Sequence, residues 1–313
     1  MSLIVLLSLL AVKRRPTAKN HFPKGNFLGL SRKEGVLRCN HLPPSSTTIW
    51  LARLQLHTME VISLQSGSNG NCVYVHAGGL RMLIDAGISG SQVEQRLALH
   101  EVDVHAVDAL LISHDHADHT RCMGIYQRKF GVPIYVSKPT YTVARRRNRL
   151  GMVDDLRFFE SGAVLSFDSI SVETIRTPHD GVDGVAFVID DGQRRLGVMT
   201  DLGHVFPGLD TTINSLDAVV LESNYDPDML DRGPYTESLK RRIRGPGGHL
   251  SNLEAASLLN RAAEGRLRWA CLAHLSEHNN CPQVALDTHR RIVGERLNLH
   301  VADRYQATGM FHV

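Results

Sequence analysis

The segment Ser113-His114-Asp115-His116-Ala117-Asp118-His119 constrains this chain more than any other stretch. It closes a continuous apolar run, Val107 to Ser113, that reads as a buried strand. In extended backbone, residues i and i+2 share a face, so His114 and His116 can grip one cation while Asp118 and His119, past the bend, reach a second. A single histidine is often only a satisfied core residue. Three histidines and two aspartates within six positions, at the carboxyl end of a strand, read as a metal centre, and such a centre needs further donors from other strand ends facing the same edge.

Three later positions supply them. His179, in Thr177-Pro-His-Asp180, follows the strand Ile170 to Ile175; Asp201 ends the strand Arg195 to Thr200; His274 ends the strand Leu267 to His274. Alone, each would pass for a turn residue.

Around these positions, short apolar runs alternate with helical patterns, which argues α/β architecture. Strands are expected at Glu60 to Gln65, Cys72 to His76, Leu80 to Asp85, Ile134 to Val136, Val164 to Phe167, Gly184 to Ile189, Leu216 to Glu222, Leu297 to Val301 and Thr308 to Val313. Helices are expected at Ser91 to Leu99, Thr120 to Phe130, Tyr141 to Leu150 and Pro282 to Glu295, and one running from Ser251 to about Glu264. Ser251-Asn-Leu-Glu254 is a capping box that opens this last helix.

Charge divides the chain unevenly. Residues 1–58 carry nine Lys or Arg against one acidic residue, Glu34, whereas the remainder carries 26 basic and 31 acidic residues. The net +3 therefore hides a basic tail and an acidic body, and it identifies no partner. The tail opens on an apolar run followed, not preceded, by Lys13-Arg14-Arg15, the reverse of a secretory signal. It shows no sustained periodicity before Met59, and is expected to be a non-native extension from a misassigned start or a disordered arm, with a targeting or tethering segment as the alternative. The folded domain is expected to span residues 59–313. Cys39, Cys72, Cys122, Cys271 and Cys281 are odd in number and unpaired in spacing, which suits a cytoplasmic protein without a disulfide framework. No apolar run reaches the length of a membrane span.

His114-x-His116-x-Asp118-His119 followed by His179, Asp201 and His274 resembles the signature motifs of the metallo-β-lactamase superfamily, and Asp85 in Leu83-Ile-Asp-Ala-Gly87 resembles its first motif. The resemblance covers about residues 60–313 and implies a four-layer αββα sandwich with two divalent metals at one rim. By that analogy His114, His116 and His179 hold the first metal, Asp118, His119 and His274 the second, and Asp201 bridges them; Asp85 orients a ligand histidine. Zinc is the expected metal, with manganese or iron as alternatives. Glu222-Ser-Asn-Tyr-Asp226 and Gly248-His249-Leu-Ser251 resemble the acidic and histidine motifs of the superfamily's nuclease branch. His274-Leu-Ser-Glu-His-Asn-Asn280, together with Ser66-Gly-Ser-Asn-Gly-Asn-Cys72, resembles the WalJ/YycJ group of bacterial metallo-β-lactamase-fold proteins, some of them exonucleases. The large insertion of the β-CASP nucleases is missing, since only 47 residues separate Asp201 from His249, and His278 stands where the group is expected to carry glutamate.

The resemblance implies hydrolysis of a phosphodiester in DNA or RNA by a hydroxide bridging the metals. Asp118 and Asp201 would serve that chemistry, and His249 would donate to the phosphate or leaving oxygen. Glu222, Ser251 and His204 are expected to support the site or meet substrate. The alternatives are hydrolysis of a small ester, thioester or lactam, and a metal-bound regulatory protein without turnover. Arg145-Arg-Arg-Asn-Arg149 and Lys240-Arg-Arg-Ile-Arg244 offer phosphate contacts or merely solvated helix faces, and the turn Ser66 to Asn71 offers backbone amides to a phosphate.

Overall fold

A computed structural model describes residues 59–313, so the expectation for residues 1–58 lies outside the described residues. Two seven-stranded sheets are present. The first runs in the order β14-β1-β2-β3-β4-β5-β6, with β1 Glu60–Gln65, β2 Cys72–Ala77, β3 Leu80–Ile84, β4 Ala109–Leu111, β5 Ile134–Ser137, β6 Leu156–Phe159 and β14 Phe311–His312. The second runs β13-β12-β11-β10-β9-β8-β7, with β7 Val164–Phe167, β8 Ile170–Arg176, β9 Val185–Asp190, β10 Arg195–Met199, β11 Ala218–Glu222, β12 Trp269–Ala273 and β13 Asn298–Val301.

Three apolar layers organise these sheets. Val61, Val75, Met82 and Leu111 of the first sheet pack against Val172, Phe187, Val198 and Cys271 of the second. The other face of the first sheet, with Ile62, Tyr74, Leu83 and Leu110, packs on helices α1 Gly90–Ala98 and α3 Met123–Phe130 through Val93, Leu97, Tyr126 and Phe130. The other face of the second packs, through Val188, Leu221 and Leu272, on α5 Leu209–Asn214, α8 Asn252–Ala262 and α9 Pro282–Val293. This is the expected helix, sheet, sheet, helix stacking, and strands buried on both faces explain why their sequences read as unbroken apolar runs.

Strand direction makes the rim. β3, β4 and β5 are parallel neighbours, as are β10, β11 and β12, so within each sheet their carboxyl ends emerge on one edge. β8 is antiparallel to β9, which is antiparallel to β10, so β8 ends on that edge as well.

Some boundaries differ from expectation. The helix expected from Thr120 to Phe130 is two helices, α2 Ala117–Thr120 and α3, because the Cys122 amide turns aside to the Ala86 carbonyl. The helix expected from Tyr141 begins earlier, as α4 Lys138–Arg147, where Ser137 caps it and Pro139 occupies its first turn. Not foreseen were β6, α5, and the helices α6 Pro227–Arg232 and α7 Glu237–Arg244. The four described cysteines are free thiols, and among the described residues no helix is long and apolar enough to cross a membrane.

Candidate metal centre

The expected donors gather on this rim, His114, His179, Asp201 and His274 in the segments that follow strands, and Asp118 and His119 in the short helix α2, which His116 precedes. Asp85, Asp201 and His274 all adopt left-handed conformations, with φ of 65°, 57° and 54°. Asp and His tolerate this region better than β-branched residues do, and its use at two donors and at Asp85, which holds His119, turns the side chain sharply out of the strand line. Gly87 permits the first sheet to close on the histidine segment: a Cβ there would lie 1.7 Å from the Asp118 carbonyl oxygen. In its place, the Asn71 amide donates to that carbonyl at 2.8 Å and the Ala86 amide to the His119 carbonyl at 2.7 Å.

The donors fall into two sets. His114, His116 and His179 form one, and Asp118, His119 and His274 form another; within each set the donor atoms lie within 4.8 Å of one another. Asp201 joins His114 and His119 in one group, and Glu222, His249 and His274 in another. Its Oδ2 lies 3.2 Å from His119 Nε2 and its Oδ1 3.6 Å from His179 Nε2, so it stands between the two sets. His114 Nε2, His274 Nε2 and Asp201 Oδ2 are buried without a hydrogen-bond partner. Buried nitrogen and carboxylate donors that face one another without hydrogen bonds among the described residues fit divalent cations, which would offset their desolvation.

The surrounding groups fix which atoms face inward. Asp85 accepts from His119 Nδ1 at 2.7 Å and from both the amide and hydroxyl of Ser113. His179 Nδ1 donates to the Gly248 carbonyl at 2.7 Å. In both rings Nε2 is thereby turned toward the other donors, that of His119 with the Asn71 side-chain amide 2.9 Å away. Burial opposes charging His119 and His274, but Asp85 and Asp201 push the first well up, and Asp201, Asp118 and Glu222 push the second up to about 10. Burial dominates at His114 and pushes it well down. Carboxylates thus outweigh burial at these two imidazoles, a local field that favours positive charge.

Glu222 and His249 occupy the same rim. His249 Nδ1 lies 2.6 Å from Glu222 Oε1, and the amides of Leu202 and Leu250 donate to Glu222 Oε2. Burial raises the Glu222 carboxyl, but His249 and His274 overcome it and hold it near 2. Ser251 caps α8, its hydroxyl bonded to Glu254, with both halves of the expected box formed. His204 bonds the Pro246 carbonyl and belongs to none of the donor groups. His278 is exposed, edge-on to Tyr235, and also outside those groups.

Several contributors were not anticipated. Asn71 ties the Ser66 turn to the site: its side chain accepts from the Gly67 amide and reaches His119 Nε2 at 2.9 Å. The amides of Ser66, Gly67, Gly70 and Asn71 are spent inside the protein, so these four brace the rim, while Ser68 between them lines the cleft. Asp115 and Asp180 each follow a donor histidine, and each holds an arginine. The donor groups open onto a cleft of about 320 Å³ lined by Ser68, His116, Asp118, Arg147, Arg242 and His249, among others.

Two face-packed sheets with paired His/Asp groups on a shared edge define a divalent-metal-binding αββα sandwich. Residues 80–274 match the Beta-lactamase superfamily domain, and the chain belongs to that superfamily of metallo-β-lactamase-fold proteins. It is 31% identical to exodeoxyribonuclease YycJ of Bacillus anthracis, over 80% of this chain and 97% of the relative. It is 32% identical to exodeoxyribonuclease WalJ of Streptococcus pneumoniae, over 71% of this chain and 83% of that one. The crystal structure of the metallo-β-lactamase fold protein YhfI from Bacillus subtilis superposes with a TM-score of 0.63 at 17% identity, covering 82% of this chain and all of the other, a likeness of fold alone.

Proposed function

We propose that this chain is a two-metal phosphodiesterase that removes nucleotides from the end of a DNA strand. The observation that carries the reading is the pair of donor sets joined by Asp201 at the floor of an open cleft. The similarity to two proteins named exodeoxyribonucleases, spanning nearly the full length of one of them, supports it.

His114, His116 and His179 would hold one divalent ion, Asp118, His119 and His274 the other, with Asp201 between them. Zinc suits this nitrogen-rich set best. Two such ions supply an activated water and stabilise charge on the phosphate. The chain's own residues do the rest. Asp85 and Gly248 hold His119 and His179 in the tautomers that leave Nε2 facing inward. Glu222 fixes the His249 ring and steadies charge that develops on it, leaving Nε2 with no hydrogen bond among the described residues, at the cleft, placed to give a proton to the leaving oxygen. The free thiols support a cytoplasmic location.

The test is hydrolysis of single-stranded and duplex oligodeoxynucleotides, labelled separately at the 5′ and 3′ ends, by zinc- or manganese-loaded protein. Stepwise shortening from one end is expected. Cleavage of a lactam or thioester with no attack on any oligonucleotide would overturn the reading.

A further inference from the structure

The cleft has an electrostatic problem if its substrate is a nucleic-acid strand. Residues 59–313 carry more acidic than basic side chains, and the cleft floor is crowded with Asp118, Asp201 and, just behind them, Glu222. The two ions the site would hold offset these carboxylates at the reacting phosphate, but a polyanion also needs cations for the phosphates on either side of it. Of the two basic runs, one member of each reaches the cleft: Arg147 at the end of α4 and Arg242 on α7. Their neighbours are used otherwise, Lys240 bonding the Asp231 carbonyl and Arg244 pairing with the Asp231 carboxylate.

Both arginines are held by similar devices. Arg147 Nη1 donates to Asp115 Oδ2 at 2.5 Å, and Asp115, itself buried, follows His114 and also accepts from the Val182 amide. Arg242 Nε donates to Asp180 Oδ2 at 2.6 Å, while the other oxygen of Asp180 lies 3.3 Å from His116 Nε2 and 3.5 Å from His179 Nε2. Arg242 is thus one carboxylate away from the first donor set, and Arg147 is held by the residue that follows His114 in the chain. Each remains about 60% exposed, at 60% and 59%, with the rest of its N–H groups uncommitted among the described residues. A guanidinium anchored at one edge and open at the other is preorganised to grip an oxyanion.

We propose that Arg147 and Arg242 form a two-point clamp for the backbone phosphates that flank the scissile bond, so that the cleft recognises a strand by its phosphate spacing and not by its bases. The proposal rests on the nuclease reading above and extends it to the binding of the strand beyond the reacting phosphate. The arginines bind the strand directly and sit outside the donor groups.

The experiment measures binding by the metal-loaded full chain of a fluorescein-labelled, phosphorothioate-linked thymidine strand across a salt series, by anisotropy. Arg147→Ala and Arg242→Ala should each weaken binding by about tenfold and lower the slope of log K against log salt by about 0.7, the value of one phosphate contact on a single strand. Arg147→Lys, which keeps the charge but not the fork, should recover the slope and part of the affinity. Arg145→Ala and Arg241→Ala remove the same charge from exposed positions that do not line the cleft, and should change neither. Metal content should survive in all variants, and hydrolysis of bis-p-nitrophenyl phosphate, which has no flanking phosphates, should survive in the Arg145→Ala and Arg241→Ala controls. Unchanged affinity in the two cleft variants, equal losses in the controls, loss of metal, or no binding by the parent protein would each overturn the clamp. Binding that depends on both arginines without hydrolysis of any oligonucleotide would uphold the clamp and sink the nuclease reading alone.

Discussion

His249 Nδ1 and Glu222 Oε1 lie 2.6 Å apart, and this contact couples a residue of the cleft wall to a carboxylate that is wholly buried. Glu222 is satisfied by this contact and by two backbone amides, in contrast to the orphaned donors of His114, His274 and Asp201. His249→Ala should therefore keep its metals while slowing hydrolysis of an oligonucleotide by about 10²- to 10⁴-fold, the range for a lost general acid or base. Bis-p-nitrophenyl phosphate, whose leaving group scarcely needs a proton, should suffer much less. Equal losses on both substrates would remove His249 from proton transfer, and loss of metal would make it a ligand.

Asp201 stands between the two donor sets, so its removal should be felt by both. Asp201→Ala is expected to bind at least one metal fewer per chain than the parent, read by elemental analysis after dialysis. Unchanged stoichiometry would refute the bridging position.

Gly87 has no room for a methyl group, with the Asp118 carbonyl oxygen 1.7 Å and the Asn71 amide nitrogen 2.5 Å from where a Cβ would stand. Gly87→Ala should cost on the order of 3 kcal/mol of stability, as for overpacking that forces backbone apart. It should also weaken metal binding, because the displaced backbone carries Asp118 and His119. Gly309→Ala, at a position with nothing within 4 Å, should leave the melting temperature unchanged and serves as the control.

His289, buried in α9, donates from Nδ1 to the Ala285 carbonyl and leaves Nε2 without a partner. Burial lowers its pKa from 6.5 to about 4. Above pH 6.5 the ring is neutral whether folded or unfolded and the linkage contributes nothing. As pH falls from 6.5 toward 4, the unfolded chain takes up a proton that the folded one refuses, and stability is lost, by about 3 kcal/mol in total. Chemical denaturation of the parent and of His289→Leu across this window should show that much extra loss in the parent. The metal centre titrates alike in both proteins, so it cancels in the difference. Parallel curves would refute the assignment.

Three of the candidate donor positions could be picked out in the sequence because each follows an apolar run, and a strand buried on both faces announces its own end; His179 follows β8, whose burial alternates. His114, Asp201 and His274 stand where such runs stop, and the structure brings them together. The edge strand β6 was illegible for the opposite reason: two of its four residues are exposed, so it has neither a continuous apolar run nor a clean alternation. The short helices α6 and α7 enclose only the small cluster of Tyr225, Leu230 and Ile243. Too little apolar surface is buried there to write a stripe along them. Asn71, Asp115 and Asp180 went unread because their roles depend on partners distant in sequence, although Asp115 and Asp180 each carried one local hint, adjacency to a donor histidine. The arginines could be named only as members of runs, since helix phase against a cleft decides which one arrives.

The left-handed backbone at Asp85, Asp201 and His274 restricts the alphabet from which this rim can be rewritten. Exchanging a donor to retune the metal, for instance Asp201→Glu or His274→Cys, changes two things at once: the coordinating atom, and how willingly the main chain holds a conformation that few side chains other than Asn, Asp, His and Gly accept. Asn can inherit the bend and lose the charge; a β-branched residue can inherit neither. Drift at these three points is therefore channelled toward Asn and Gly, and a lineage that discards its metals should show those residues there while the strands beneath remain intact.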